Sequence, residues 1–216
     1  LQGSLAAMFV SDRVRRGTSA HLHEFMPAFF LNYYPFASRA FSVHAFAKRS
    51  FRMPTFNDLY YADMGNSKLN PEYVTQYDAG FAYTKTWENY LFYRFKIQAD
   101  GYYNKVKDKI IAYPKGQQFR WTMLNLGKVH INGLDAKVSA TLRPLRKLYV
   151  TTRLQYTYQQ AIDVTNPADT YYRDQIPYIP WNSGSAVVQM DYGTWGLNYS
   201  FIYTGERYNQ QENIIY

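Results

Sequence analysis

Leu91-Phe92-Tyr93-Arg94-Phe95-Lys96-Ile97-Gln98-Ala99-Asp100-Gly101-Tyr102-Tyr103-Asn104 alternates between apolar and polar residues along its whole length. Read with a period of two, Leu91, Tyr93, Phe95, Ile97, Ala99, Gly101 and Tyr103 share one face, and Phe92, Arg94, Lys96, Gln98, Asp100, Tyr102 and Asn104 share the other. Successive side chains of a strand point to opposite sides, so the pattern predicts a β-strand with one greasy face and one wet face. The same alternation recurs from Leu148 to Gln159, where Leu148, Val150, Thr152, Leu154, Tyr156 and Tyr158 oppose Tyr149, Thr151, Arg153, Gln155, Thr157 and Gln159. It recurs again around Tyr77–Tyr83 and Trp195–Tyr203. These runs outlast the five or six residues usual in globular strands. A strand tilted across a bilayer takes about 9–11 residues.

Outward from these runs, the chain reads as about nine strands, near 1–10, 24–34, 39–50, 73–84, 90–105, 121–142, 148–160, 178–190 and 195–204. Short turns are expected at Pro35–Ser38, Thr86–Asn89, Arg143–Lys147 and Asp191–Thr194. Long loops are expected at Ser11–Glu24, Phe51–Glu72, Lys107–Phe119, Asp163–Ile176 and from Gly205 onward. Short turns at one end and long loops at the other is the asymmetry of an outer-membrane barrel, and a soluble sandwich offers no reason for it. Aromatic residues gather near strand ends, as at Tyr83, Trp87 and Tyr90, at Tyr156 and Tyr158, and at Trp195 and Tyr203, which fits girdles at two membrane interfaces. The 121–142 run changes phase: Val129 and Ile131 share one parity, whereas Leu134, Ala136, Val138 and Ala140 share the other. Asn132-Gly133 at the switch reads as a β-bulge.

Composition agrees. Aromatic residues make up 19% of the 216, with 23 tyrosines. The mean hydropathy is nevertheless negative, and no apolar run reaches the roughly 18 residues of a membrane helix. The absence of Cys excludes disulfides, thiolate metal sites and cysteine nucleophiles. The net charge of +8 raises nucleic acid as a partner, but Lys and Arg are scattered rather than gathered in a stripe, and no nucleic-acid role is expected. The fold class expected is all-β: a transmembrane, antiparallel, up-and-down β-barrel.

One segment is more specific than the pattern. Phe51-Arg52-Met53-Pro54-Thr55-Phe56-Asn57-Asp58-Leu59-Tyr60-Tyr61 is followed by Gly65-Asn66 and by Leu69-Asn70-Pro71-Glu72. It resembles the FRAPTFNELY…GN…LxPE box of TonB-dependent receptors, with Met53 in place of the usual Ala. Tyr77-Asp78-Ala79-Gly80 looks like the family's Y-E-x-G strand. Asn125-Leu126-Gly127 with Ile131-Asn132-Gly133-Leu134-Asp135 is similar to its N-x-G…G-[VLI]-[ED] strand, and Pro177-Tyr178-Ile179-Pro180-Trp181-Asn182 resembles a later strand start. In its own right the box is a structured loop: Pro54 and Pro71 exclude ladder bonding, and Thr55 or Asn57 can cap a helical turn through Asp58–Tyr61.

The resemblance implies a barrel of about 22 strands with a plugged lumen. Residues 1–216 then form a single partial barrel domain, with the plug, the TonB-binding segment and the last strands lying outside it. It implies capture of a scarce large nutrient at the cell surface, in the bacterial outer membrane, with import driven through TonB. The implied partners are outer-membrane lipid, the TonB complex, the receptor's own plug and, in some cases, a surface lipoprotein. Cargoes of such receptors include ferric siderophores, corrinoids such as cobalamin, haem and glycans. No His lies between Phe51 and Glu72, which counts against haem and favours a siderophore or corrinoid. Candidate contacts are the loop residues Arg52, Asn57, Asp58, Tyr60, Tyr61, Asn66, Tyr171 and Tyr172, because tyrosines give broad amphipathic contact at modest entropic cost. The competing reading of those tyrosines is as girdle residues.

No cofactor and no metal site are expected. His21 and His23 are two apart beside Glu24, too few ligands for a defined site, and His44 reads as a polar lumen-facing residue, with His130 equally unremarkable. An enzyme is not expected either: Ser183-Gly184-Ser185 lacks the G-x-S-x-G frame, and Asp163, Asp169 and Asp174 have no His nearby in sequence. A passive porin or adhesin is the alternative function.

Overall fold

The computed structural model describes residues 2–12, 20–62, 64–87, 91–115, 120–209 and 213. Its strands are β1 (Gln2–Asp12), β2 (Ala20–Tyr33), β3 (Phe41–Arg52), β4 (Glu72–Thr86), β5 (Phe92–Lys115), β6 (Arg120–Leu145), β7 (Leu148–Asp163), β8 (Asn182–Tyr192) and β9 (Trp195–Thr204). One helix, α1 (Phe56–Tyr60), stands between β3 and β4. All nine strands form a single antiparallel sheet in which each pairs with its neighbours in sequence, from β1 at one edge to β9 at the other.

The register turns alternation along strands into rows across the sheet. One row runs Val43, Phe81, Ala99, Ala136, Tyr156, Gly184 and Tyr203. The next row, one residue along and on the opposite face, runs His44, Gly80, Asp100, Asp135, Thr157, Ser183 and Thr204. The apolar face is bare: Phe29, Leu31, Leu134, Leu154, Leu197 and Phe201 are all exposed. An apolar surface continuous over that many strands exceeds what a soluble monomer carries, and it is what a barrel presents to lipid. Tyr33, Phe36, Tyr192 and Trp195 are exposed at the short-turn end, and Tyr77, Tyr156 and Tyr158 toward the other, which gives two aromatic belts. No described helix is long and apolar enough to cross a membrane, so the strands make the crossing.

The conventional core lies elsewhere. Val106, Leu126, Val129, Ile131, Ala161 and Ile176 form a buried cluster, with Val74, Tyr102 and Ile179 packed on it. It sits at the long-loop end, where the segment following β7 folds back over the sheet. This explains the phase change in β6. Below, in lipid, the outer residues Leu134, Ala136 and Val138 are apolar; above, Val129 and Ile131 on the opposite face are covered by the loop.

Several expectations need correction. No bulge occurs at Asn132-Gly133, because pairing to β5 and β7 continues unbroken there. Gly133 instead makes room: a Cβ at that position would meet the Tyr102 hydroxyl and the Tyr158 carbonyl. The register shifts instead between Phe92 and Arg94, and again between Leu142 and Leu145. The first shift brings Phe92 opposite Leu142 on the lipid side and swings Tyr93 to the other face, where its ring meets Tyr149 edge-on at 5.5 Å. The assignment of Tyr93 to the lipid face and Phe92 to the wet face was therefore reversed. The expected loops at Ser11–Glu24 and Lys107–Phe119 give way to strand, since β1 runs to Asp12, β2 starts at Ala20, β5 runs to Lys115 and β6 starts at Arg120. Finally, β8 starts at Asn182 rather than 178, because Tyr178 adopts φ 64 and interrupts the extended chain. Tyr90, Phe119 and Tyr216 lie outside the described residues.

Candidate functional site

Beyond Lys107 the β5–β6 ribbon outruns its neighbours: β4 pairs with β5 only to Lys107, and β7 pairs with β6 only to Val129. Two loops brace the projecting ribbon from either side. The first is the β3–β4 loop. Thr55 caps α1 by accepting from Asp58 N at 3.2 Å, and the Asp58 carboxylate accepts from Thr55 N at 2.8 Å, a reciprocal capping box. Gly65 closes the turn after α1, donating to Tyr61 O at 2.7 Å. Asn66 then locks the loop to β6: its amide donates to Met123 O at 3.0 Å and its own N–H to Asp58 O at 2.8 Å. Asn125 on β6 ties the loop to β5, accepting from Asn70 N at 2.8 Å and donating to Asp108 O at 2.7 Å.

Glu72 is the hub. It is buried, and its carboxylate accepts from Ile110 N at 3.0 Å while facing Lys109 Nζ at 3.4 Å and Arg52 Nη2 at 3.5 Å. Arg52 also reaches Asp58 at 3.8 Å. A buried carboxylate needs such partners, because an unpaired buried charge costs several kcal/mol on the order of its desolvation. Asp108 beside it takes φ 56, β4 stops pairing with β5 at Lys107, and the Glu72 carboxylate satisfies the Ile110 N–H beyond that point.

The second loop follows β7. Gln175 is buried beneath it; its Oε1 accepts from Ala161 N at 2.7 Å, and its amide donates to Ile179 O at 3.2 Å. Thr165 ties the loop to β6 by accepting from Lys128 N at 2.9 Å, and the Trp121 and Tyr178 rings meet at 5.3 Å.

These contacts sort the predicted residues. Arg52, Asp58 and Asn66 are brought together, and their polar groups serve the loop's own construction. Asn57, Tyr60 and Tyr61 are exposed on α1 and its C-cap, beside Phe56, whose ring meets Tyr60 at 5.1 Å. Tyr171 and Tyr172 sit apart, half-buried on the second loop. Sequence reading gave no individual role to Glu72, Asn125 or Gln175. Glu72 and Asn125 lie inside the quoted motifs, which was the available signal; nothing in sequence marks Gln175.

The inner wall of the sheet is polar and carries segregated charge. Asp78, Asp100 and Asp135 lie on β4, β5 and β6, with His44 Nε2 at 2.5 Å from Asp100 Oδ1 and Thr157 donating to Asp135. Toward the short-turn end, Lys96, Lys137 and Arg153 line a hollow with Gln98 and Gln155. His21 and His23 fall within β2, opposite Ser11 and Phe9.

The family model for the TonB-dependent receptor-like β-barrel matches residues 7–215. A vitamin B12 transporter, BtuB, of Vibrio vulnificus is 33% identical over 85 residues, covering 39% of this chain and 13% of the relative. BtuB of Photobacterium profundum is 26% identical over 178 residues, 79% of this chain and 26% of the relative. Among solved structures, the copper transporter OprC shares the fold with a TM-score of 0.58 at 17% identity, over 89% of this chain and 29% of that one. The siderophore receptor PirA from Pseudomonas aeruginosa shares it at 0.54 and 16%, over 93% and 37%. Barrels of this family reside in the outer membrane of Gram-negative bacteria, in keeping with the lipid-facing surface described above. The chain belongs to the TonB-dependent receptor β-barrel family.

Proposed function

We propose that this chain is a slice of a wider, plugged barrel, and that the intact receptor imports a scarce nutrient too large for passive pores. The family is one of receptors and transporters rather than enzymes. The cargo we favour is a corrinoid such as cobalamin or a ferric siderophore. The observation that carries the reading is the likeness to a vitamin B12 transporter across 79% of the chain, together with a siderophore receptor of the same fold. The wall supports it too: a face bearing Lys96, Lys137, Asp100 and Asp135 needs water or a polar plug opposite, not an apolar core. The plug, the TonB complex and, where one exists, a surface lipoprotein are the partners this reading requires.

Within the loops, exposed Asn57, Tyr60 and Tyr61, with Tyr171 and Tyr172, are the proposed cargo contacts, while Arg52, Asp58 and Asn66 hold their platform. The test is a titration of the intact receptor in detergent with cobalamin, a panel of ferric siderophores and haem, followed by tryptophan quenching. Saturation by a corrinoid or one siderophore class is expected. Saturation by haem alone, or by none of the three, overturns the cargo assignment.

A further inference from the structure

We propose that His44, Asp78 and Asp100 form a binding site for a borderline divalent metal ion, with Zn²⁺ as its probe, on the lumen wall. The site is independent of the cargo assignment. One ligand atom from each residue lies within 4.8 Å of the others. Atoms bound to one zinc stand ~2.0–2.2 Å from the ion, so a small side-chain rotation closes the set. One imidazole nitrogen and two carboxylate oxygens are a donor set such an ion accepts, and three protein ligands leave a coordination position open to the lumen.

The backbone builds the convergence. His44 on β3 and Asp100 on β5 stand in one row, separated by Gly80 on β4. A Cβ on Gly80 would lie 2.5 Å from Asp100 Oδ1 and 2.9 Å from His44 Nε2, so the glycine leaves open the cradle in which the two meet across an intervening strand. Asp78 is two residues from Gly80 on the same strand and therefore on the same face. Asp100 is ion-paired, among the described residues, only with His44, itself one of the three ligands. Among the described residues no Lys or Arg is ion-paired with Asp78, Asp100 or Asp135; Lys48, the nearest cation along that wall on β3, rests over the Phe46 ring at 5.3 Å. Like charges clustered at half-buried positions favour a bound cation. No spacing in the sequence shows this set, because its members come from three strands and meet only through register.

The experiment uses the intact receptor in detergent, stripped with a chelator and titrated with Zn²⁺ by calorimetry. Binding of one equivalent is expected, weakened at least roughly ten-fold by His44→Gln and by Asp78→Asn. Asp191→Asn, near the β8–β9 turn, is expected to leave it unchanged. Heat-modifiable migration checks that each variant is folded. Absence of Zn²⁺ binding, or equal binding by the H44Q/D78N double variant, overturns the site. If a variant does not fold, carbethoxylation of His44 in the unaltered receptor decides instead: protection by Zn²⁺ supports the site, and unchanged labelling overturns it.

Discussion

Leu154 and Arg153 are neighbours on β7 and face different solvents. Leu154 is 50% exposed on the apolar face, and Arg153 lines the polar hollow, its guanidinium donating to Gln189 at 3.3 Å. Leu154→Arg is expected to cost about 2–4 kcal/mol if it stands near mid-bilayer. Arg153→Leu, on the wet wall, is expected to be milder. Urea unfolding in lipid vesicles measures both, and equal losses would contradict the facing. Alternation separated the two faces and the charges at Arg94, Lys96 and Asp100 marked the wet one; a one-residue error would put these, with Asp135, Lys137 and Arg153, into lipid. Tyr93 was misplaced for a local reason: a single extra residue at the Phe92/Arg94 bulge inverts parity, and nothing in Leu91–Arg94 announces it. At the buried Gln175, replacement by Leu strands the Ala161 N–H, which has no other route to water; a loss of about 1–3 kcal/mol in the stability of that loop is expected. Limited proteolysis between Asp163 and Trp181 would register it as faster cleavage.

At the scale of elements, the β3–β4 loop was the most readable part of the cargo side. Pro54 and Pro71 fix where strands stop, and Thr55 three residues before Asp58 spells the cap that α1 uses. The role of Glu72 was not readable, because its partners Lys109 and Ile110 are on the ribbon and meet it only once β4 and β5 are in register. Glu72→Ala is expected to loosen the loop and the ribbon together, whereas Glu72→Gln keeps one acceptor for Ile110 and loses the charge pairing. Amide exchange at Ile110 separates the two: faster in both variants, and much faster in the alanine form. The ribbon itself was hidden by composition. Lys107, Asp108, Lys109, Pro114 and Lys115 read as loop residues, yet above the bilayer Lys107, Asp108 and Lys109 meet water or loops, so polar side chains there carry no penalty.

For the whole molecule, the apolar surface is outside and the polar surface inside, the reverse of a soluble domain. The intact receptor is accordingly expected to keep its folded, heat-modifiable form only in micelles or bilayers and to aggregate on detergent removal. Trp195, 81% exposed beside the β8–β9 turn, is expected at the headgroup level. In a receptor whose other tryptophans are replaced by Phe, lipids brominated high on the acyl chain should quench it more than lipids brominated at the chain end; the opposite order would place that turn inside the bilayer. Fold class and strand number were legible because period-two patterning repeats with each crossing. The charge clusters on the wall were not, because they assemble from residues distant in sequence.

The strictly sequential order of the sheet has a consequence for how the chain tolerates rewiring. Every ladder joins strands adjacent in sequence, so each turn at the short-loop end links two partners that would find one another without it. Opening the chain between Gly193 and Thr194 would sever a connection and leave the pairing of Met190 with Leu197, and of every row above it, to be made between two fragments. Such a receptor, co-expressed as two polypeptides cut at that turn, should reassemble into the same wall.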